Sequence, residues 1–138
     1  MILLGTNVLS ELMKPEPNAG VIRWLDSQLA ETVLISAITR AEIELGIALL
    51  PDGQRKRKIA AAAERMFAEF AGRTLSFGET ASIQYGQLVA ACTKKGRPIT
   101  VEDAQIAAIA LASGLRIATR NVKDFADIPD LAVINPWK

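Results

Sequence analysis

The sequence predicts an α/β protein, with helices packed on both faces of a small, mostly parallel sheet. Short apolar runs of strand length alternate with longer helical patterns along the whole chain. Half the residues are hydrophobic and 22% are charged, while aromatics make up only 5%, which suits aliphatic helices laid on a sheet. No repeat, low-complexity tract or long linker divides the chain, so residues 1–138 are expected to form a single domain.

The elements follow in order. Residues 1–4 (Met1-Ile2-Leu3-Leu4) read as a buried strand, followed by a polar turn and a short helix through Leu12. Pro15 and Pro17 break the chain, and Asn18 is placed to cap a second helix with Val21, Ile22, Leu25 and Leu29 on one face. Residues 32–35 form a second strand. A helix over residues 37–50 is expected to turn Ile38, Ala41, Leu45 and Leu49 inward. Pro51-Asp52-Gly53 makes a turn, a basic amphipathic helix runs to about Phe70, and residues 74–76 form a short strand. Helices over 79–95 and 101–113 stop at Gly96-Arg97-Pro98 and Gly114, and residues 115–119 and 131–134 supply the last strands.

Composition excludes several chemistries. There is no histidine, which removes serine–histidine triads, cysteine–histidine pairs and typical zinc sites. Cys92 is the one cysteine and sits in an apolar run, so it is expected in the core, and a reducing cytoplasm is the natural compartment. The apolar start is too short for a signal peptide, and no stretch approaches the roughly 20 residues of a membrane span. A net charge of +1 neither requires nor rules out nucleic acid.

Four places put polar or acidic groups just after a strand or at a helix start: Gly5-Thr6-Asn7, Glu42, Asp103, and Asn121 with Asp124. In a parallel sheet they converge on one edge, where such folds bind ligands. Each has a bland alternative. Thr39-Arg40-Ala41-Glu42 fits a capping box, Asp103 fits the acidic preference of a first helical turn, Asn121 fits a turn, and Asp124 a solvated charge. Glu44 and Glu102 fit surface roles. Together the acids suggest a site for a hard cation, because clustered carboxylates repel unless a cation holds them. Such a cation activates water and stabilises charge on a phosphate.

The segments Met1-Ile2-Leu3-Leu4-Gly5-Thr6-Asn7, Ser36-Ala37-Ile38-Thr39-Arg40-Ala41-Glu42, Asp103-Ala104-Gln105-Ile106-Ala107 and Ala118-Thr119-Arg120-Asn121-Val122-Lys123-Asp124 resemble, in order and at family spacing, the four motifs of the PIN-domain family. Ile134-Asn135-Pro136-Trp137 is similar to the ending of members close to the FitB and VapC toxins. The resemblance implies a three-layer α/β/α sandwich and a Mg²⁺- or Mn²⁺-dependent endoribonuclease. It further implies a cytoplasmic homodimeric toxin, held inactive by a VapB-like antitoxin that carries operator DNA binding for the pair. It places acids at Glu42 and Asp103, a hydroxyl at Thr119, polar groups at Asn121 and Asp124, and Thr6 beside the first acid. The first acid itself is missing, since its position is Gly5, and Asn121 stands where a fourth acid sometimes occurs. With one ligand lost, this chain is expected to be inactive or strongly impaired. The alternative is a non-catalytic module that binds antitoxin and takes part in operon repression.

Basic residues near these motifs, Lys94, Lys95, Arg97, Arg116, Arg120 and Lys123, are candidates for phosphate contacts, while Arg55-Lys56-Arg57-Lys58 reads as a solvated helix face. Trp24 and Trp137 read as packing or interface residues in preference to base-stacking platforms. The apolar faces around Leu9, Leu12, Ile22 and Leu25 read as core, or else as a docking surface for antitoxin or a second protomer.

Overall fold

The computed structural model describes residues 1–138 and contains five strands and six α-helices. In chain order these are β1 (Ile2–Leu4), α1 (Thr6–Leu12), α2 (Ala19–Asp26), β2 (Val33–Ser36), α3 (Ala37–Ala48), α4 (Gln54–Glu69), β3 (Thr74–Leu75), α5 (Glu79–Lys94), α6 (Val101–Ala112), β4 (Arg116–Ala118) and β5 (Val133–Ile134). All pairings are parallel, in the order β3-β2-β1-β4-β5.

Alternation along the central strand builds three layers. Side chains of a strand point to opposite faces in turn. Leu3 therefore enters a core shared with α5 and α6, while Ile2 and Leu4 enter a second core lined by α1, α2, α3 and α4. β4 does the same with Ile117 and Ala118. Being covered on both faces is why β1 reads as a continuous apolar run rather than an alternating one. Cys92 is buried in the first core, as its apolar neighbours suggested.

The helix ends follow local chemistry. Asn18 Oδ1 accepts from the Gly20 and Val21 amides and caps α2, a contact worth about 1 kcal/mol. Gly114 adopts φ 65° after α6, and the Leu115 amide returns to the Ala110 carbonyl at 2.8 Å, so the chain turns sharply into β4. No helix is long and apolar enough to cross a membrane.

Four details differ from the sequence reading. On α3 the buried residues are Thr39 and Ile43, with Ile47 packed beside them, whereas Ala41, Leu45 and Leu49 are exposed. The inward stripe contains a threonine, so a count of apolar residues picks the wrong face. Leu29 lies beyond the end of α2 and is 67% exposed, off the helix face expected of it. Of the face around Leu9, Leu12, Ile22 and Leu25, only Leu9 is fully buried, while Leu12 and Leu25 pack partly against the core and Ile22 stays half-buried, so the face is core in part rather than throughout. Arg116 opens β4 and so lies at the opposite edge of the sheet from the acids.

Candidate active site

Strand order changes direction at β1, which has β2 on one side and β4 on the other. The carboxyl ends of these three strands deliver Gly5, Ser36 and Thr119 to the same edge. A cleft of 440 Å³ opens there, and Gly5, Thr6, Glu42, Asp103, Thr119, Asn121 and Asp124 all line it. Every residue singled out from the four motifs is brought together.

The wall formed by α3 is a chain of hydroxyls ending in a carboxylate. Ser36 is the N-cap of α3 and accepts from the Thr39 amide at 3.0 Å, so the cap is Ser36 and not the Thr39–Glu42 box. Ser36 Oγ lies 3.2 Å from Thr39 Oγ1, and Thr39 Oγ1 lies 3.1 Å from Thr6 Oγ1. Thr6 Oγ1 donates to Glu42 Oε1 at 2.7 Å. A hydroxyl has one proton, and the carboxylate is the stronger acceptor. Thr6 therefore commits its proton to Glu42 and serves Thr39 as acceptor. The α3 start thus fixes Glu42 as a cleft residue.

The opposite wall joins β1 to β4. The Gly5 amide donates to the Ala118 carbonyl at 2.8 Å. Asn7 Nδ2 donates to Thr119 Oγ1 at 3.2 Å, and the Asn121 amide donates to the same oxygen at 3.1 Å. Asn7 Oδ1 in turn accepts from the Arg120 amide at 3.4 Å. Thr119 is 2% exposed, so its hydroxyl orders the loop rather than facing open solvent.

Gly5 has φ −72° and ψ 165°, extended backbone that any residue adopts. The dihedrals give no reason for glycine. A Cβ at this position would meet the Ala118 carbonyl at 3.0 Å and Asn7 Oδ1 at 3.7 Å, so a larger residue needs a shift of a few tenths of an ångström.

Asp103 sits in the first turn of α6, where Thr100 Oγ1 caps the helix by accepting from the Asp103 amide at 3.2 Å. Its carboxyl is held above the usual aspartate range, chiefly by burial, with the charges of Asp124, Glu42 and Glu102 adding to the effect and the Thr100 hydroxyl opposing it. Glu42 and Asp124 therefore oppose the ionisation of Asp103 from across the cleft. The donors are all oxygens, which suits a hard divalent cation in kind. In number they fall short, because no three carboxylates close on one point and Gly5 contributes none.

The sequence reading missed the places of two residues in the cleft. Glu11 lines the cleft although it is 7% exposed; it accepts from Lys14 Nζ at 2.9 Å and from the Asn18 amide at 2.9 Å. Those two bonds, the lysine first, hold its carboxyl below the usual range. Helical spacing from Asn7 through Ser10 and Glu11 to Lys14 carried the signal. Trp137 also lines the cleft, with the Arg120 guanidinium 5.3 Å from its ring centroid. Of the basic candidates, Arg97 and Lys123 line a smaller notch of 260 Å³ that shares Asp103 and Asp124 as its wall. Lys95 instead donates to the Asp127 carbonyl at 3.3 Å. Arg55 and Lys58 are exposed, as a solvated face would be, and border a groove of 790 Å³ between α1, α3 and α4 that adjoins the cleft at Glu42.

A parallel sheet with helices on both faces and acids gathered at its switch point defines an α/β domain whose ligand site lies at that edge. Residues 2–131 match the PIN domain, and the chain belongs to that family. It is 44% identical to Toxin FitB of Neisseria gonorrhoeae over 99% of each chain. It is 42% identical to a VapC ribonuclease of Sinorhizobium fredii, covering all of this chain and 99% of the relative. The solved FitAB assembly bound to an IR36 DNA fragment contains a chain that superimposes with a TM-score of 0.89 at 43% identity, covering all of this chain and 96% of that one.

Proposed function

We propose that this chain is the toxin of a toxin–antitoxin pair, built as an endoribonuclease and silenced or strongly impaired at Gly5. The observation that carries the reading is the convergence of four separated motifs on one oxygen-lined cleft. Support also comes from relatives named as a toxin and as a ribonuclease. When bound, Mg²⁺ or Mn²⁺ would activate water and stabilise charge on the scissile phosphate. Asp103, with Glu42 and Asp124 across the cleft, would hold that ion. Thr6 aims Glu42, and Thr119 and Asn121 order the loop carrying Asp124. In this reading Gly5 leaves the ion one ligand short. A VapB-like antitoxin is the proposed partner and the means by which the pair binds operator DNA, in keeping with the DNA-bound FitAB assembly. The protein would act in the cytoplasm as a homodimer.

One observation favours a second reading. No three acids close around a single point, which fits a module that keeps antitoxin binding and operon repression without catalysis.

The two readings separate on one comparison. The chain and its Gly5→Asp variant, each free of antitoxin, are incubated with labelled single-stranded RNA in Mg²⁺, in Mn²⁺ and in EDTA. Groups that only orient a metal's ligands are typically worth about 10–100-fold, so restoring a direct ligand is expected to raise metal-dependent cleavage by ~100-fold or more. Asp103→Asn added to that variant should abolish the gain. If Gly5→Asp cuts no RNA under any condition, the nuclease reading gives way to the binding module.

A further inference from the structure

The cleft carries an aromatic feature that the hydrolytic reading leaves unused. Three arginines lie over aromatic rings, at Arg40–Phe67, Arg73–Phe70 and Arg120–Trp137. Phe67 and Phe70 are buried in the core, and the Arg73 guanidinium is tied to the carbonyls of Ala30, Val33 and Glu69. Those two pairs are structural. Arg120 and Trp137 line the cleft itself, alongside Gly5, Asp103 and Asp124.

The backbone fixes the indole. β5 is paired to β4, with Ile134 opposite Ala118, and the Thr119 amide reaches the Ile134 carbonyl at 2.8 Å. Pro136 is buried, and the Trp137 amide donates to Asn135 Oδ1 at 2.9 Å. Trp137 is half-buried, packed in part against the α1–α2 core, with the remainder in the cleft. Arg120 contrasts with it. Its amide is held by Asn7, yet its exposed guanidinium makes no hydrogen bond or ion pair and has the ring as its neighbour. Apart from the longer-range charge of Glu11, only the cation–π contact holds this guanidinium over the ring.

We propose that Trp137, overlain by Arg120 in the free protein, is a base-stacking platform that takes one unpaired nucleobase of the substrate strand beside the acids. The proposal rests on the reading of the cleft as a site for single-stranded RNA. Relative strengths decide whether a base would replace the arginine. An exposed cation–π contact favours its bound form about 2- to 5-fold, whereas stacking a base on an aromatic ring is worth about 5- to 150-fold. The base wins the ring, and the released guanidinium moves to a backbone phosphate. Trp137 is thus a residue that selects unpaired substrate, with Arg120 as its exchangeable cover. Duplex RNA, whose bases are already stacked on each other, gains nothing from it.

The experiment uses the full chain carrying Trp24→Phe, which leaves Trp137 as its one tryptophan, and an RNA octamer of mixed sequence in EDTA. Binding is followed by Trp137 fluorescence and by anisotropy of the labelled RNA, with thermal unfolding run on every variant. Expected results are quenching on binding, affinity lowered about 5- to 150-fold by Trp137→Leu, and most affinity kept by Trp137→Phe. Arg120→Gln should reduce the slope of log affinity against log salt by about one. If RNA binds without quenching, or if the Leu and Phe variants with native unfolding curves bind equally, the stacking platform is wrong while the RNA site stands. If the unaltered chain binds no octamer at all, the RNA reading falls and takes the platform with it.

Discussion

The two walls of the cleft are built on different plans. On the α3 side, Ser36, Thr39 and Thr6 hand a hydrogen-bond chain to the Glu42 carboxylate, the last contact being the shortest at 2.7 Å. On the β1–β4 side, Asn7, Thr119 and the amides of Arg120 and Asn121 close a neutral network at 3.1–3.4 Å around Gly5. One wall holds a charge on a prepared mount. The other is complete without one, and no buried side-chain polar atom is left without a partner. The cleft therefore keeps its shape with no side chain at Gly5, because the hydrogen bonds that shape it run between other groups.

The largest expected effect tests that asymmetry directly. Gly5→Asp places a Cβ 3.0 Å from the Ala118 carbonyl and adds negative charge near Asp103. In EDTA the variant should melt below the parent. In Mn²⁺ at about a hundred times its Kd, binding to the native state alone contributes ~2.7 kcal/mol, so the order of melting temperatures should reverse. Thermal unfolding with and without Mn²⁺ measures both. Equal Mn²⁺ responses in the two chains would mean that the β1–β4 wall is not where the ion's affinity is decided.

A smaller effect compares the mounts themselves. Thr39 is fully buried and its hydroxyl joins Ser36 to Thr6. Thr39→Val keeps the shape but leaves the buried Ser36 hydroxyl proton without an acceptor, at a cost of about 1–3 kcal/mol. Asn7→Ala removes half-exposed neutral bonds, and Thr119 keeps its bond from the Asn121 amide. About 0.5–1.5 kcal/mol is expected there. Urea titrations should rank Thr39→Val as the more damaging. The opposite order would make the β1–β4 network the structural one.

The same contrast explains what the sequence made legible. Gly5, Glu42, Asp103 and Thr119 follow strand ends or open helices, and a parallel sheet converts that one-dimensional placement into a shared edge. Gly5, Glu42 and Asp103 could be read from placement alone, whereas Thr119 entered only through the resemblance to the PIN family. Thr39 could not, because a buried threonine breaks the apolar stripe, and its satisfaction depends on Ser36 and Thr6 from other elements. Trp137 was equally hidden. It reaches the cleft only because β5 pairs with β4, a contact made far along the chain. Glu11 was accessible in principle, one helical turn beyond Asn7, but an acid on a short helix carries no mark of burial until Lys14 and the Asn18 amide are seen around it.

The smallest effect separates two cleft carboxylates that titrate in opposite senses. Glu11 is held below its ordinary 4.5, first by the Lys14 hydrogen bond and then by the Asn18 amide. Its contribution is present above that value and is lost as pH falls through the lower folded-state pKa. Asp103 is held above its ordinary 3.8, first by burial and then by the neighbouring acids. The folded state takes up this proton more readily than the unfolded chain does. Its contribution is therefore full below 3.8 and is lost as pH rises through the higher folded-state pKa. In metal-free buffer, Glu11→Gln should lower stability at neutral pH and leave a curve that improves on mild acidification. Asp103→Asn should raise stability at neutral pH and leave only the acid-side loss. Unfolding measured from neutral pH to pH ~3 distinguishes them. If both variants shift the curve in the same sense, burial and the neighbouring acids do not hold the Asp103 carboxyl above its ordinary range in the folded state.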